Sequence, residues 1–154
     1  MAGASGRSVA YDLPMSKLVR DLMRRDVISI PQTASIWELS RLLTERCISG
    51  VPVVDAQGDV VGVVSRADIV RCMQDLPRRR SQENGFYVED DEIPPSASVR
   101  VADIMNRAVI SAPSTATVSE FSRLMLAHRI HRILIIDGRK LVGIVTTSDI
   151  LKTM

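Results

Sequence analysis

The chain contains one stretch twice, as GVVSRAD at residues 62–68 and as GIVTTSD at residues 143–149. In each copy a run of β-branched residues, typical of a strand, leads into a hydroxyl residue with an aspartate three positions later, a spacing typical of a helix start. The glycine in the strand has no Cβ, so that a ligand or another backbone can come close to it. The stretch therefore predicts a strand-to-helix junction that occurs twice in the fold.

The repeat extends far beyond this stretch. Residues 22–34 align with residues 104–116 without a gap, and the alignment continues into both junctions after one residue is lost in a turn. One copy has about 55 residues and is too small to bury two helices and a sheet alone. We therefore expect the two copies to pack through a pseudo-two-fold axis into one α/β module. The chain then divides into an N-terminal tail (1–15), a first repeat (16–73), a linker (74–97) and a second repeat (98–154).

Each copy is predicted to have the element order β-α-β-β-α. A proline ends the first strand, and a capping box opens the helix that follows it. One face of the first helix is expected to be buried, because apolar residues recur there at helical spacing. The residues of that face are Ile36, Leu39, Leu43 and Cys47. The predicted first strands are residues 27–30 and 109–112, and the helices after them are capped by Ser35 with Glu38 and by Thr117 with Glu120. Hairpin strands are predicted at 51–54 and 60–64, with hairpin turns at 55–59 and 137–140. The last helices are predicted to begin near Ser65 and Thr146 and to carry Ile69 and Ile150 inward.

The composition argues against several classes of function. Aromatic residues make up 3% of the chain and the net charge is +2, which disfavours base-stacking surfaces and a DNA-binding charge field. No apolar run reaches the roughly 20 residues of a membrane span, and the N-terminus lacks the apolar stretch of a signal peptide. Cys47 and Cys72 have no metal-binding spacing and are expected to be buried thiols. The expected location is the cytoplasm, with neither nucleic acid nor membrane as a partner.

The linker between the repeats breaks the pattern. It holds three consecutive arginines at residues 78–80, an acidic run at residues 89–92 and two adjacent prolines. We expect an exposed segment with one short ordered patch at residues 86–88. The arginines either belong to a solvated loop or lean over an anionic ligand, and the sequence favours the loop.

The hydroxyl and the carboxylate of each junction allow two interpretations. Ser65 with Asp68, and Thr146 with Asp149, lie on one side of the first helical turn. In that position they can cap the helix, with the aspartate near its positive end. A carboxylate with two acceptor oxygens can equally take both hydroxyls of a ribose. The residues alone favour the capping interpretation and leave the other open.

The ordered set of motifs resembles a tandem pair of cystathionine β-synthase (CBS) domains. The resemblance covers the chain except for the N-terminal tail and the linker. It implies a regulatory module, in which paired domains bind AMP, ADP, ATP or S-adenosylmethionine in clefts between the repeats. The motifs that carry it are DLM at 21–23 and DIM at 103–105, ISGVPVVD at 48–55 and IHRILIID at 130–137, and the two Gly-x-x-Ser/Thr-x-x-Asp segments.

The resemblance also implies roles for individual residues. Asp68 and Asp149 would hold ribose hydroxyls, and Ser65 and Thr146 would support the sugar or phosphate side. The remaining implied contacts are Ser29 with Ala34 and Ser111 with Ala116, which would line the adenine slot, and Ile48 and Ile130, which would pack on the base.

The two clefts are not expected to be equal. The resemblance makes His131 and Arg132 phosphate contacts, whereas the first repeat has the uncharged Ser49 and Gly50 in their place. The second repeat also has Leu134 where the first has the proline typical of the family. We therefore expect one strong nucleotide site and one weaker or empty site. Which pair of half-sites forms the strong one stays open.

We expect a binding protein and not an enzyme. The sequence has no recognisable nucleophile elbow and no GxxxxGK[ST] loop. His128 and His131 lack a third metal ligand, and His131 can equally be a partly buried, hydrogen-bonded histidine. Neither a metal nor a required cofactor is therefore predicted.

The alternative hypothesis is a protein-interaction module with vestigial nucleotide clefts. Apolar helix faces near Leu18, Val19 and Leu22, and near Ile69 and Met73, would then bind a partner. A homodimer is expected under either hypothesis, because paired CBS domains commonly associate through such helices. The sequence does not name the regulated protein.

Overall fold

Contacts divide the chain into two compact units, and each unit combines parts of both sequence repeats. One unit is Ile28–Val109, and the other joins Met1–Val27 to Ile110–Met154. We call them the first-repeat unit and the second-repeat unit. Within them, residues 16–27 are called the first lead-in segment and residues 98–109 the second. The structure, a computed structural model, describes residues 16–76, 82–83, 86–87 and 98–153.

The first-repeat unit has a three-stranded sheet and confirms the predicted element order. Its elements are β1 (Ile30–Pro31), α1 (Ile36–Glu45), β2 (Gly50–Val54), β3 (Val60–Ser65), α2 (Arg66–Asp75) and, beyond the linker, α3 (Val101–Ile104). β1 runs parallel to β2, and β2 and β3 form an antiparallel hairpin. The core joins aliphatic side chains of the sheet and α1 to Val101 and Met105 of the second lead-in segment. This core is therefore complete only with residues that follow the linker.

A small hairpin lies within the linker. Its strands are β4 (Gln82–Glu83) and β5 (Phe86–Tyr87), which pair antiparallel. The predicted patch at residues 86–88 thus contains a strand at its first two positions. Residue 88, the arginines at 78–80 and the N-terminal tail at 1–15 lie outside the described residues.

The second-repeat unit has the same architecture. Its elements are a 3-10 turn (Val19–Asp21), β6 (Ser111–Ala112), α4 (Val118–His128), β7 (Arg132–Asp137), β8 (Lys140–Thr146) and α5 (Thr147–Leu151). The sheet order is β6-β7-β8, with β6 parallel to β7 and the β7–β8 pair antiparallel. Phe121 of α4 is the largest fully buried side chain, and Val19 of the first lead-in segment packs into the same core. None of the described helices is long and apolar enough to cross a membrane.

The predicted capping boxes are present at the starts of α1 and α4. Glu38 N–H donates to Ser35 Oγ at 3.2 Å, and Ser35 N–H donates back to the Glu38 carboxylate at 2.7 Å. Thr117 and Glu120 exchange the same two bonds, at 3.2 and 2.8 Å. These bonds satisfy donors that the first turn of a helix leaves without a partner.

The first strand of each unit is shorter than predicted. Residues 27–30 were expected as a strand, but pairing with β2 begins at Ile30 and includes Pro31. β6 likewise begins at Ser111. β1 and β6 are edge strands, where a proline is tolerated because its missing N–H breaks no ladder bond on the open side.

The prediction for the cysteines is wrong for Cys47. Helix α1 ends at Glu45, and Cys47 follows it with a φ of 53°, outside the helical spacing that the prediction assumed. Its side chain is exposed, while Cys72 is half-buried. The buried face of α1 therefore consists of Ile36, Leu39 and Leu43.

Each lead-in segment forms a short antiparallel bridge with the last strand of its unit's sheet. Arg24 N–H donates to Ile144 O at 2.9 Å and Ile144 N–H donates back to Arg24 O at 3.0 Å. Asn106 and Val63 exchange the equivalent bonds at 2.8 and 2.9 Å. The bridge brings the backbone of each lead-in segment against the junction glycine of the same sheet.

The close approach of each lead-in segment, through a methionine side chain and a backbone carbonyl, explains the glycine at each junction. A Cβ on Gly143 would lie 2.6 Å from Met23 Sδ and 3.0 Å from Arg24 O. A Cβ on Gly62 would lie 2.8 Å from Met105 Sδ and 2.9 Å from Asn106 O. Of the two occupants that the sequence allowed, the structure thus has a backbone next to each glycine.

Candidate ligand-binding site

Asp149, at the second junction, is a nearly buried carboxylate with four hydrogen-bond donors around it. It is 8% exposed. Its Oδ2 accepts from Thr146 N–H at 2.9 Å and from Thr146 Oγ1 at 2.8 Å. Its Oδ1 accepts from Arg24 Nε at 3.2 Å and from Arg24 Nη2 at 3.0 Å. The strand-to-helix turn supplies the first pair of donors and the first lead-in segment supplies the second.

The charge of Asp149 is stabilised in place. Burial raises the pKa of this carboxyl, but the hydrogen bonds from Thr146 and the ion pair with Arg24 together lower it below the ordinary 3.8. Asp149 is therefore ionised at neutral pH, and it is the only buried charged residue in the part of the chain that the structure describes.

Asp68, at the first junction, has a related but looser arrangement. Its Oδ2 accepts from Ser65 N–H at 2.8 Å and from Ser65 Oγ at 3.0 Å. Its Oδ1 accepts from Nη1 of Arg71, which lies on the same helix, at 3.1 Å. The side chain of Asp68 is 16% exposed, and that of Arg71 is 69% exposed. The capping interpretation is therefore confirmed for the carboxylates of both junctions.

The two carboxylates differ in the room they leave for another donor. A carboxylate has about four lone-pair positions. The contacts of Asp149 with Thr146 and Arg24 use four, whereas those of Asp68 with Ser65 and Arg71 use three. A ribose diol, which donates two bonds, would have to displace an arginine bond at either site. We call the two arrangements the Asp149 subsite and the Asp68 subsite.

The start of β7, with His131 and Arg132, pairs with the end of the strand that leads into the Asp149 subsite. The roles of these two residues as phosphate contacts stay predictions. Arg132, the first residue of β7, is the register partner of Thr146. The carbonyl of His131 accepts from Thr147 N–H at 2.9 Å, which ties the start of β7 to the start of α5. The side chains of both His131 and Arg132 are exposed, so that the partly buried histidine considered for residue 131 is not observed.

The Asp68 subsite has an uncharged residue at the corresponding strand start. Gly50 is the register partner of Ser65. A Cβ at Gly50 would lie 3.0 Å from Val64 O, so little space is left for a side chain there. The two strand starts thus differ in charge, although each carboxylate has an arginine bonded to it.

The remaining residues predicted to contact the ligand differ in how deeply they are buried. Ala34 and Ala116 are buried and belong to the cores of their units, and their carbonyls accept from Val101 N–H at 2.8 Å and from Val19 N–H at 2.9 Å. Ser29 and Ser111 are exposed, while Ile48 and Ile130 are half-buried against the cores. Their roles around an adenine base stay predictions.

The sequence analysis missed both arginines that bond to the junction aspartates, Arg71 nearby in sequence and Arg24 far from its partner. Arg24 contributes two of the four bonds to Asp149, although 125 positions separate the two residues in the chain. The signal in the sequence was the aligned pair Arg24 and Asn106, where an otherwise similar segment changes from a charged to a neutral residue. The contact could not be inferred from it, because the sequence did not reveal that this segment pairs with the other repeat's sheet.

Part of the apolar surface predicted to bind a partner under the alternative hypothesis is buried in the core of this protein. Val19 is 0% exposed and belongs to the core of the second-repeat unit, so it is not available to a partner. On α2 the exposed apolar side chains are Val70 and Met73. Within the described ranges, no group of three or more His, Cys, Asp or Glu side chains could hold a metal ion.

The repeated β-α-β-β-α unit, with an aspartate in the helix cap of each strand-to-helix junction, defines a tandem domain pair. The chain belongs to the CBS domain family, which matches it at residues 19–75 and 101–154. An uncharacterized protein of Methanocaldococcus jannaschii, MJ1426, is 26% identical and covers 89% of this chain and 90% of its own length.

Two further relatives have names that describe a ligand or an activity. The solved CBS domain pair of protein MJ0100, in complex with 5′-methylthioadenosine and S-adenosyl-L-methionine, is 26% identical. It has a TM-score of 0.65 and covers 88% of this chain and 94% of that chain. Inosine-5′-monophosphate dehydrogenase of Methanocaldococcus jannaschii is 28% identical over 88% of this chain, which corresponds to 23% of the dehydrogenase.

Proposed function

We propose that this CBS domain pair is a regulatory module that binds an adenine nucleotide through the carboxylates of Asp68 and Asp149. The observation that carries the proposal is Asp149, a nearly buried and ionised carboxylate whose counter-ion is a long arginine side chain. An exposed arginine can move aside for a ligand, whereas the bonds from Thr146 hold the carboxylate in its orientation. The likeness to a domain pair that holds adenosine derivatives supports the same ligand class.

Modest contacts are sufficient for such a role. A hydrogen bond to a charged group contributes about 1.5–3 kcal/mol, and a micromolar ligand needs about 8 kcal/mol in total. One ribose–carboxylate pair, a phosphate contact and a buried base together reach that range. The affinity would then suit AMP, ADP or ATP at cellular concentrations.

Thermal melting and calorimetry with AMP, ADP, ATP and S-adenosylmethionine test the proposal. A ligand present at 100 times its Kd stabilises the folded chain by about 2.7 kcal/mol, which appears as a rise in Tm. No shift with any of the four at millimolar concentration would overturn the proposal.

Matched variants separate ligand binding from helix capping. Asp68→Asn and Asp149→Asn remove a junction carboxylate, whereas Glu38→Gln and Glu120→Gln remove the carboxylate from the same capping position of α1 and α4. All four changes weaken a cap. Only the aspartate changes should weaken nucleotide binding, and equal effects of all four would refute a direct role of the aspartates.

The rival function keeps a basis in Val70 and Met73, which are exposed on α2. An interaction module would use this face for a partner or for a homodimer, and it would bind that partner equally well with or without nucleotide. Our proposal instead makes partner binding depend on nucleotide. Non-catalytic action and a cytoplasmic location complete the proposal.

A further inference from the structure

The two subsites obtain their cation from different parts of the chain. At Asp149 the guanidinium of Arg24 donates two bonds to one carboxylate oxygen. At the aligned position of the first-repeat unit stands Asn106, whose side chain accepts from Ala108 N–H at 2.9 Å and makes no bond to Asp68.

We propose that Arg24 makes the Asp149 subsite selective for adenosine ligands that carry an anionic group, against neutral or cationic ones. The inference rests on the proposed function and adds the ligand's charge class. It makes Arg24 a specificity-determining residue.

The selectivity follows from what happens to the guanidinium when a ligand arrives. The four bonds to Asp149 use its lone pairs, so a ribose diol has to replace Arg24 at Oδ1. A neutral ligand leaves the guanidinium with only water as its new acceptor, and a cationic ligand repels it. A phosphate group offers the guanidinium two oxygens in the fork geometry that it prefers.

Arg24 is positioned for this exchange. Its backbone is held by two hydrogen bonds with Ile144, so its Cα stays next to the junction. Its side chain is 58% exposed and can turn while the backbone stays in place.

Calorimetry with AMP and 5′-methylthioadenosine tests the inference, because the two ligands share adenosine and differ in the charge of the 5′ group. The full chain carrying Asp68→Asn is used so that the Asp149 subsite dominates. We expect AMP to bind more tightly than methylthioadenosine. The preference is measured as the Kd of methylthioadenosine divided by the Kd of AMP. Adding Arg24→Asn, which copies the residue of the other repeat, should reduce this ratio at least about tenfold, or about 1.4 kcal/mol.

Two variants control for charge and folding. Arg25→Asn removes the same charge from the neighbouring position, which makes no bond to Asp149, and should leave the ratio within about twofold. Arg24→Lys keeps the charge without the fork geometry and should keep part of the preference. Melting temperatures of Arg24→Asn and Arg24→Lys without ligand check the fold.

The outcomes distinguish the two proposals. If AMP and methylthioadenosine bind but Arg24→Asn leaves their ratio unchanged, or Arg25→Asn changes it equally, the role of Arg24 is refuted and the proposed function stands. If AMP binds no more tightly than methylthioadenosine, the inference is refuted and the proposed function stands. If none of AMP, ADP, ATP, S-adenosylmethionine and methylthioadenosine binds the unmodified chain, the proposed function is refuted and this inference with it.

Discussion

At the residue scale, the junctions show how a capping motif and a ligand-type motif coincide. Sequence reasoning identified Asp68 and Asp149 as the candidate carboxylates and placed a hydroxyl three residues before each. It did not name Arg71, although this counter-ion of Asp68 is only three positions away, and it could not assign Arg24 to Asp149, because the two are distant in sequence. An ion pair between distant positions depends on which segments the tertiary fold brings together, and local spacing in the sequence does not encode that.

Asp149→Asn is expected to lower the free energy of unfolding by about 1 kcal/mol at neutral pH, because the charge-assisted hydrogen bonds to the carboxylate are lost. The loss is small because Arg24 is exposed, and an ion pair with an exposed partner contributes little to stability. The pKa of Asp149 is lowered in the folded chain, so its contribution is present above the ordinary 3.8 and is lost as pH falls through the folded value. Urea unfolding at several pH values should show the difference from the unmodified chain shrinking toward pH ~3. Asp75→Asn, at an exposed position, serves as the control, and a difference that is independent of pH would contradict the prediction.

Gly143→Ala is expected to destabilise the chain by about 1–3 kcal/mol, because the new Cβ meets Met23 and the carbonyl of Arg24. Gly138→Asn is the matched control. Gly138 has a φ of 63° and nothing within 4 Å of its Cβ position, and Asn tolerates that backbone conformation. Chemical denaturation should therefore show a much larger loss for the Gly143 variant. Equal losses would mean that the close approach is not the reason for glycine at the junction.

At the element scale, the sequence was most informative where the signal is local. Capping boxes located the starts of α1 and α4, and the turn residues located both hairpins. Asp55 Oδ1 accepts from the N–H groups of Gln57 and Asp59, each at 2.9 Å, and Gly58 adopts a φ of 80°. The first strand of each unit was overestimated, because the apolar residues before Ile30 resemble a strand but have no neighbouring strand to pair with.

Thr117→Ala is expected to cost about 1 kcal/mol of stability, since it removes the acceptor of Glu120 N–H at the start of α4. Hydrogen bonds from the backbone N–H of Thr117 and, to a smaller extent, from its hydroxyl lower the pKa of Glu120. The variant keeps the backbone bond and loses the hydroxyl, so the pKa of Glu120 should rise only part of the way toward its ordinary value. Ser119→Ala, two positions further on, is the control. Thermal melting and a carboxyl titration by NMR would check both effects, and a variant as stable as the control would contradict the capping role.

At the scale of the whole molecule, the two compact units do not coincide with the two sequence repeats. Val19 and Arg24 precede the first repeat's sheet in sequence but belong to the second-repeat unit. Val101 and Met105 likewise complete the core of the first-repeat unit. Each core therefore depends on a lead-in segment that sequence alignment assigns to the other copy.

The fragment of residues 28–109 is expected to unfold cooperatively, whereas the fragment of residues 28–97 should not, because it lacks Val101 at 0% exposure and Met105 at 9%. Loss of such buried side chains leaves cavities that cost about 2–5 kcal/mol each for a residue as large as methionine. Circular dichroism during heating compares the two fragments. Identical melting curves would show that the second lead-in segment is dispensable for this core.

The sequence by itself determined the repeated β-α-β-β-α pattern, the helix caps, the hairpin turns and the pair of junction aspartates. These features depend on periodicity and on contacts between residues a few positions apart. The tertiary structure decided which repeat each lead-in segment joins, why Gly62 and Gly143 are glycines, and that Arg24 reaches Asp149. Those outcomes depend on which sheet each lead-in segment pairs with, and more than one pairing is compatible with the same local sequence pattern.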